Sequence, residues 1–217
     1  MDVDGYTMWI TGGSLVLIAP QVSEPERRHA LGSLGQAQRH ADESMVSRFD
    51  QHRRWYRAYC NALGQHGWRV THSCQQVETA GGRTLLSPTQ PLLLWLASQH
   101  GELGEVLELC IDSLAQNPRV LAQLSCCALQ VEHSTTRLML ELGVLGPGSQ
   151  LSLCSIALET SAVLGSDWLK APLAGATLRG DLYFQSLMAE PAPELLDAGR
   201  DGFVRVSGNY GPGRTLH

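Results

Sequence analysis

The seven residues Arg53-Arg54-Trp55-Tyr56-Arg57-Ala58-Tyr59 set three guanidinium groups among three aromatic rings. Arginine interleaved with aromatics can clamp phosphates or stack on bases, because the guanidinium is a planar fork of donors that also lies flat on ring faces. The same spacing also describes an amphipathic helix with its rings on a sheet and its cations in water. Docking is a third use, since Arg, Trp and Tyr dominate interface hot spots. Trp55, Tyr56, Tyr59 and Trp68 are read as structural. Arg53, Arg54 and Arg57 form the candidate interaction surface, suited to an acidic partner or a second copy of the chain.

Other chemistry finds less support. The G-x-S-x-G elbow is missing, and Gly12-Gly13-Ser14 and Gly165-Ser166-Asp167 read as turns. Cys126 and Cys127 fall in an expected strand, where neighbours point to opposite faces. A reactive thiolate there would need a cation such as His72 or His133 nearby. For metals, H-E-x-x-H and paired C-x-x-C are absent, and His29, His40 and His52 have no histidine three or four residues on. His52 reads as a satisfied, partly buried ring. Gly-Gly-Arg at 81–83 and Gly-Pro-Gly-Arg at 211–214 are turns before they are phosphate loops. Glu102, Glu105 and Glu108 mark a solvated helix face. No catalytic residue, cofactor site or metal site is assigned.

The elements that position these residues follow from periodicity. Residues 6–18 form a hairpin around Gly12-Gly13-Ser14. Residues 25–66 form helix in two pieces, with Ser23 as cap and Pro25 in the first turn. In the second piece Met45, Phe49, His52, Tyr56, Tyr59 or Cys60, and Leu63 recur at helical spacing. A strand runs from Trp68 to Val77, and a turn follows at 80–83. Residues 89–99 read as a helix buried on most sides. Residues 102–116 form an amphipathic helix with Val106, Leu107, Cys110, Ile111 and Leu114 inward, closed by Asn117-Pro118. From about 121 the period becomes two, and 121–133, 136–145, 150–160 and 176–188 read as four consecutive antiparallel strands. The 161–175 link caps one end of the sheet. A short helix at 191–199 and a strand at 203–206 follow.

The fold class is therefore α+β: an antiparallel meander over about 121–188 plus the N-terminal strands, with two helical segments, about 25–66 and 89–116, packed on one face. Residues 1–206 read as a single domain and 207–217 as a flexible Gly-rich tail. The 217 residues are 43% apolar and 17% charged, against a usual charged share of about 25%. That excludes disorder, collagen, a coiled-coil rod, a disulfide scaffold and a polytopic membrane protein.

Net charge is −5, with fifteen Arg, one Lys and twenty-one acids. Residues 24–69 hold eight Arg against five acids, so the remainder carries −8. An acidic chain lacks the field that nucleic acid requires. The start, Met-Asp-Val-Asp-Gly, is unlike a cationic secretory leader. The six Cys lie in apolar runs and read as free thiols of a cytoplasmic protein, with a signal-less export route left open.

The resulting expectation is a non-enzymatic interaction or assembly protein, a homo-oligomer or one with a protein partner, within a bacterial toxin, effector or immunity system. The low charge content leaves apolar surface that seeks a partner. A second expectation is a membrane-acting protein, built on the 136–145 and 150–160 hairpin. A third is a small hydrolase or transferase without a recognisable motif.

Overall fold

The computed structural model describes residues 2–3, 5–44, 47–79, 87–101 and 103–192. The turn expected at 80–83, the strand at 203–206 and the tail at 207–217 lie outside those residues. So does the helix expected at 191–199 beyond its first two positions, and of these Pro191 ends a strand.

The N-terminal strands are β1 (Asp2–Val3), β2 (Tyr6–Thr11) and β3 (Ser14–Ile18). Helices α1 (Glu24–Ser44) and α2 (His52–Gln65) lead to β4 (Trp68–Thr79). Three helices follow: α3 (Gln90–His100), α4 (Leu103–Ala115) and α5 (Pro118–Ala128). The chain then lays down β5 (Leu129–Glu132), β6 (Thr135–Leu145), β7 (Leu151–Thr160) and β8 (Leu178–Pro191). One sheet gathers all the strands in the order β1-β2-β3-β6-β7-β8-β4, with β5 paired beside β6. The pairs β5–β6, β6–β7 and β7–β8 are antiparallel, the first two across short connections and the third across the 161–177 link. The N-terminal hairpin joins this meander through β3, which runs parallel to β6, so the sheet is mixed.

Helix starts are written in local chemistry. Ser23 and Glu26 form half of a capping box, in which the Ser23 N–H donates to Glu26 Oε2 at 2.8 Å. Asn117 and Pro118 start a helix rather than only ending one. The Asn117 side chain accepts the Val120 N–H at 3.2 Å, and Pro118 sits where a missing N–H costs nothing. The meander therefore begins at 129, not 121. Leu121, Leu124 and Ala128, read as period two, are the buried stripe of α5 at three- and four-residue spacing. Asn117→Ala should lower the melting free energy by about 1 kcal/mol, measurable by urea unfolding. An unchanged midpoint would mean that the cap is idle.

The helices cover both faces of the sheet, not one. α1 and α2 enclose one core with Val16, Ile18, Met139, Leu145, Leu153 and Leu187. α3, α4 and α5 enclose the other with Leu140, Leu142, Val144, Cys154 and Ile156. β6 and β7 are thus buried on both sides along most of their length. The 161–175 link closes the second core: Trp168 is buried and its indole N–H donates to Ser125 Oγ at 3.0 Å. α4 turns inward the five residues its period marks. α3 is less enclosed than its leucines suggest, because it forms an outer layer. Leu92 and Leu96 point in, while Leu94 is 64% exposed.

Candidate functional site

Across the middle of the sheet the register lines up four polar residues. Ser14 of β3 is opposite Glu141 of β6, Glu141 is opposite Ser155 of β7, and Ser155 is opposite Gln185 of β8. Directly opposed residues share a face, and all four are buried under α1 and α2. This row interrupts what is otherwise an apolar interface.

Glu141 is its centre. Ser14 Oγ donates to Glu141 Oε1 at 2.5 Å, and Tyr59 OH from α2 donates to the same oxygen at 2.9 Å. Gln38 of α1 completes the cluster, donating from Nε2 to Ser14 Oγ at 2.6 Å and accepting the Gly13 N–H at 3.1 Å. The turn is built for that approach: Gly12 has φ +57°, and a Cβ there would lie 2.1 Å from Gln38 Oε1. Burial raises the Glu141 carboxyl to about 7, against the pull of the Ser14 and Tyr59 hydrogen bonds and of Arg48. Arg48 is itself engaged, paired with Asp42 and lying over the Trp55 ring. Ser14 is 0% exposed and gives its proton to an acid rather than to a base open to substrate. The cluster binds helices to sheet and takes or releases one proton near neutrality; it does not have the form of a nucleophile.

The row ends beside His52, the first residue of α2. His52 is 5% exposed, and neither ring nitrogen has a hydrogen-bond partner among the described residues. It packs on Tyr56 and Tyr183, at 6.3 and 5.4 Å between ring centroids. Burial lowers its pKa to about 4, with Gln185 the neighbour that pulls it back. The ring is fully rather than partly buried, and Gln185 is the polar side chain beside it. Tyr56 OH, Ser155 Oγ and Gln185 Oε1 are likewise unpartnered among the described residues. A cleft of about 200 Å³ opens above His52, walled by Asp50, Arg137, Glu159, Arg179 and Tyr183. In it Arg137 Nη1 meets Asp50 at 2.6 Å and Nε meets Glu159 at 3.2 Å.

The residues marked by the sequence divide between these settings. Arg53, Arg54 and Arg57 all lie on the exposed side of α2, while Trp55, Tyr56 and Tyr59 are buried. Arg53 lies 5.4 Å over the Tyr183 ring, and Arg54 Nη1 donates to Gln51 Oε1 at 3.3 Å. Ser14 is more than a turn residue. Cys126 and Cys127 lie on α5, not on a strand, and all six thiols are free. Glu105 and Glu108 are exposed, and Glu102 lies outside the described residues. Among the described residues no group of three His, Cys, Asp or Glu could hold a metal ion, and no helix is long and apolar enough to cross a membrane.

Glu141 carries no signal when helices are expected on one face of the sheet alone. With helices on both faces, an acid in Leu140-Glu141-Leu142, and Ser155 and Gln185 in apolar strands, become conspicuous.

No family model matches the chain, and no curated protein sequence matches it. Among solved structures it is similar to one titled delta-endotoxin, with a TM-score of 0.48 and 10% identity over 86% of each chain. No activity and no residue role is transferred from that likeness.

Proposed function

We propose that the chain is a non-enzymatic interaction or assembly protein, a component of a bacterial toxin, effector or immunity system, and that its contact surface is the outer side of α2. One observation carries the reading: Arg53, Arg54 and Arg57 are presented together, exposed, with no ion pair to any described residue. In a chain of net charge −5 such a face is a local attractor for an acidic surface, which steers association more than it stabilises the fold. The aromatic rings beneath fix α2 in place, so the cations are held on a rigid platform.

Replacing all three arginines with Gln should change stability by less than about 0.5 kcal/mol per site. It should shift the species seen by light scattering toward monomer, or abolish capture of an acidic partner. Unchanged oligomer size together with unchanged partner capture would sink the reading.

A second reading, action on a membrane, is favoured by the β6–β7 hairpin. Its strands are eleven and ten residues long, about the length that spans a bilayer. One face carries Leu138, Leu140, Leu142, Val144, Cys154, Ile156 and Leu158 with Thr136, Ser152 and Thr160 toward its ends, while the other carries Arg137, Glu141, Ser155 and Glu159. Dye release from liposomes tests it: leakage that a cross-link between α2 and the sheet suppresses would support the hairpin, and intact vesicles at high protein concentration would remove it.

A further inference from the structure

We infer that the outer edge of β4 is a contact surface for a second copy of this chain, the two β4 strands pairing antiparallel about a two-fold axis at Cys74 so that one sheet runs through both copies. The contact is separate from the outer side of α2. β4 ends the sheet, hydrogen-bonded to β8 on one side and to no described strand on the other. An unpaired edge offers a row of N–H and C=O groups to any strand that fits, and proteins blunt such edges with short strands, proline or lysine. The opposite edge follows that rule, since β1 has two residues. β4 does not. It has twelve residues, neither Pro nor Lys, and only Trp68 among them is buried. Its one irregularity is a bulge between Val70 and His72, which leaves a regular run from His72 to Thr79.

The symmetry of the strand identifies the occupant, with β8 as its ruler. Cys74 is opposite Ser186. Arg69 is opposite Glu190, four positions one way, and Glu78 is opposite Leu182, four positions the other. Val70 and Val77 are opposite Ala189 and Tyr183, three positions either way. Directly opposed residues share a face, so Arg69, Cys74 and Glu78 lie on one face of β4 and the two valines on the other. A two-fold axis normal to the sheet reverses the strand and keeps every side chain on its face. With the axis at Cys74, Arg69 of each copy meets Glu78 of the other, and Val70 meets Val77. Opposite charges and paired β-branched side chains are the cross-strand matches that stabilise a sheet, and each occurs twice. Arg69 already pairs with Glu190 of its own chain, so the guanidinium lies between two acids. Moving the axis one position, to Ser73 or Gln75, loses both matches: Val70 then meets Gln75 or Thr79.

The test joins sedimentation velocity over a concentration series to oxidative cross-linking of the full chain with copper phenanthroline, mapped by peptide mass. Cys74 is a free, half-buried thiol. Directly opposed residues of an antiparallel pair have Cα atoms about 4.5–5.5 Å apart, within the span of a disulfide. Expected are a reversible dimer and a cross-link from Cys74 to Cys74 of the second copy. Cys74→Ser should abolish that cross-link and keep the dimer. Glu78→Arg sets like charges opposite each other at two places and should weaken dimerisation at least about tenfold. A chain that stays monomeric up to its solubility limit overturns the contact. So does a cross-link that maps to Cys126 and not Cys74, or wild-type dimerisation by Glu78→Arg. The triple variant Arg53→Gln/Arg54→Gln/Arg57→Gln separates this contact from the α2 face. A dimer lost in the triple variant and kept in Glu78→Arg removes the β4 contact and leaves the α2 face standing; a dimer lost only in Glu78→Arg supports the β4 contact.

Discussion

Truncating Tyr59 to Ala should remove about 4 kcal/mol of stability, a large share of the roughly 5–15 kcal/mol available to a folded domain. Tyr59 is 0% exposed and stacks on Trp55 with ring centroids 5.2 Å apart. Its hydroxyl is one of two donors to Glu141. The truncation therefore opens a cavity between α2 and the sheet and strips a donor from a buried acid. The two effects separate in Tyr59→Phe, which keeps the ring and should cost about 1 kcal/mol when the carboxyl is neutral. Charged acceptors hold hydrogen bonds more tightly, so the Phe variant should lose more at pH 8 than at pH 5. Urea unfolding at the two pH values reads both quantities. Equal midpoints for wild type and Tyr59→Ala would mean that the inner face of α2 is not packed on the sheet.

Tyr59 also shows which kinds of structure the sequence made legible. Its place on a buried stripe with His52, Tyr56 and Leu63 follows from three- and four-residue spacing, and the structure buries all four. The hairpin around Gly12-Gly13 was equally plain, because few other residue pairs tolerate that turn. Its other use, admitting Gln38 to the Glu141 cluster, was not, because it depends on a helix that arrives from elsewhere in the chain. α5 was hidden by its neighbour: Leu129 and Val131 of β5 extend the apolar pattern of Leu121 and Leu124 and make a helix-strand junction look like one strand. The polar row was invisible for a topological reason. Ser14, Glu141, Ser155 and Gln185 are 127, 14 and 30 positions apart in turn, and only the strand order β3-β6-β7-β8 brings them side by side. Arg53, Arg54 and Arg57 were legible as an exposed face. The cleft above His52 was not, since its walls Arg137, Glu159 and Tyr183 come from β6, β7 and β8.

Glu141 within the polar row and His52 beside its end should give the protein opposing pH dependences that nearly cancel. Glu141 rises from 4.5 to about 7 on burial. A folded state that holds this proton more tightly than the unfolded chain is most stable below pH 4.5, and the contribution is lost as pH climbs through 7. His52 falls from 6.5 to about 4. Its neutral ring contributes most above pH 6.5, and that contribution is lost as pH drops through 4. Each shift corresponds to about 3 kcal/mol, and the windows overlap between pH 4.5 and 6.5 with opposite slopes. Other carboxylates titrate in the same range, so the readout is the difference between each variant and the wild type in urea unfolding from pH 4 to pH 8. Glu141→Gln keeps an acceptor for Ser14 and Tyr59 but cannot ionise. Its stability relative to wild type should therefore climb by about 3 kcal/mol as pH rises from 4.5 through 7. His52→Phe keeps the ring packing on Tyr56 and Tyr183 but cannot take a proton. Its relative stability should be highest near pH 4 and fall by a similar amount toward pH 6.5. A difference curve for Glu141→Gln that stays level would show that water reaches the carboxyl and that the row is not sealed under α1 and α2. A level curve for His52→Phe would place the imidazole in contact with solvent.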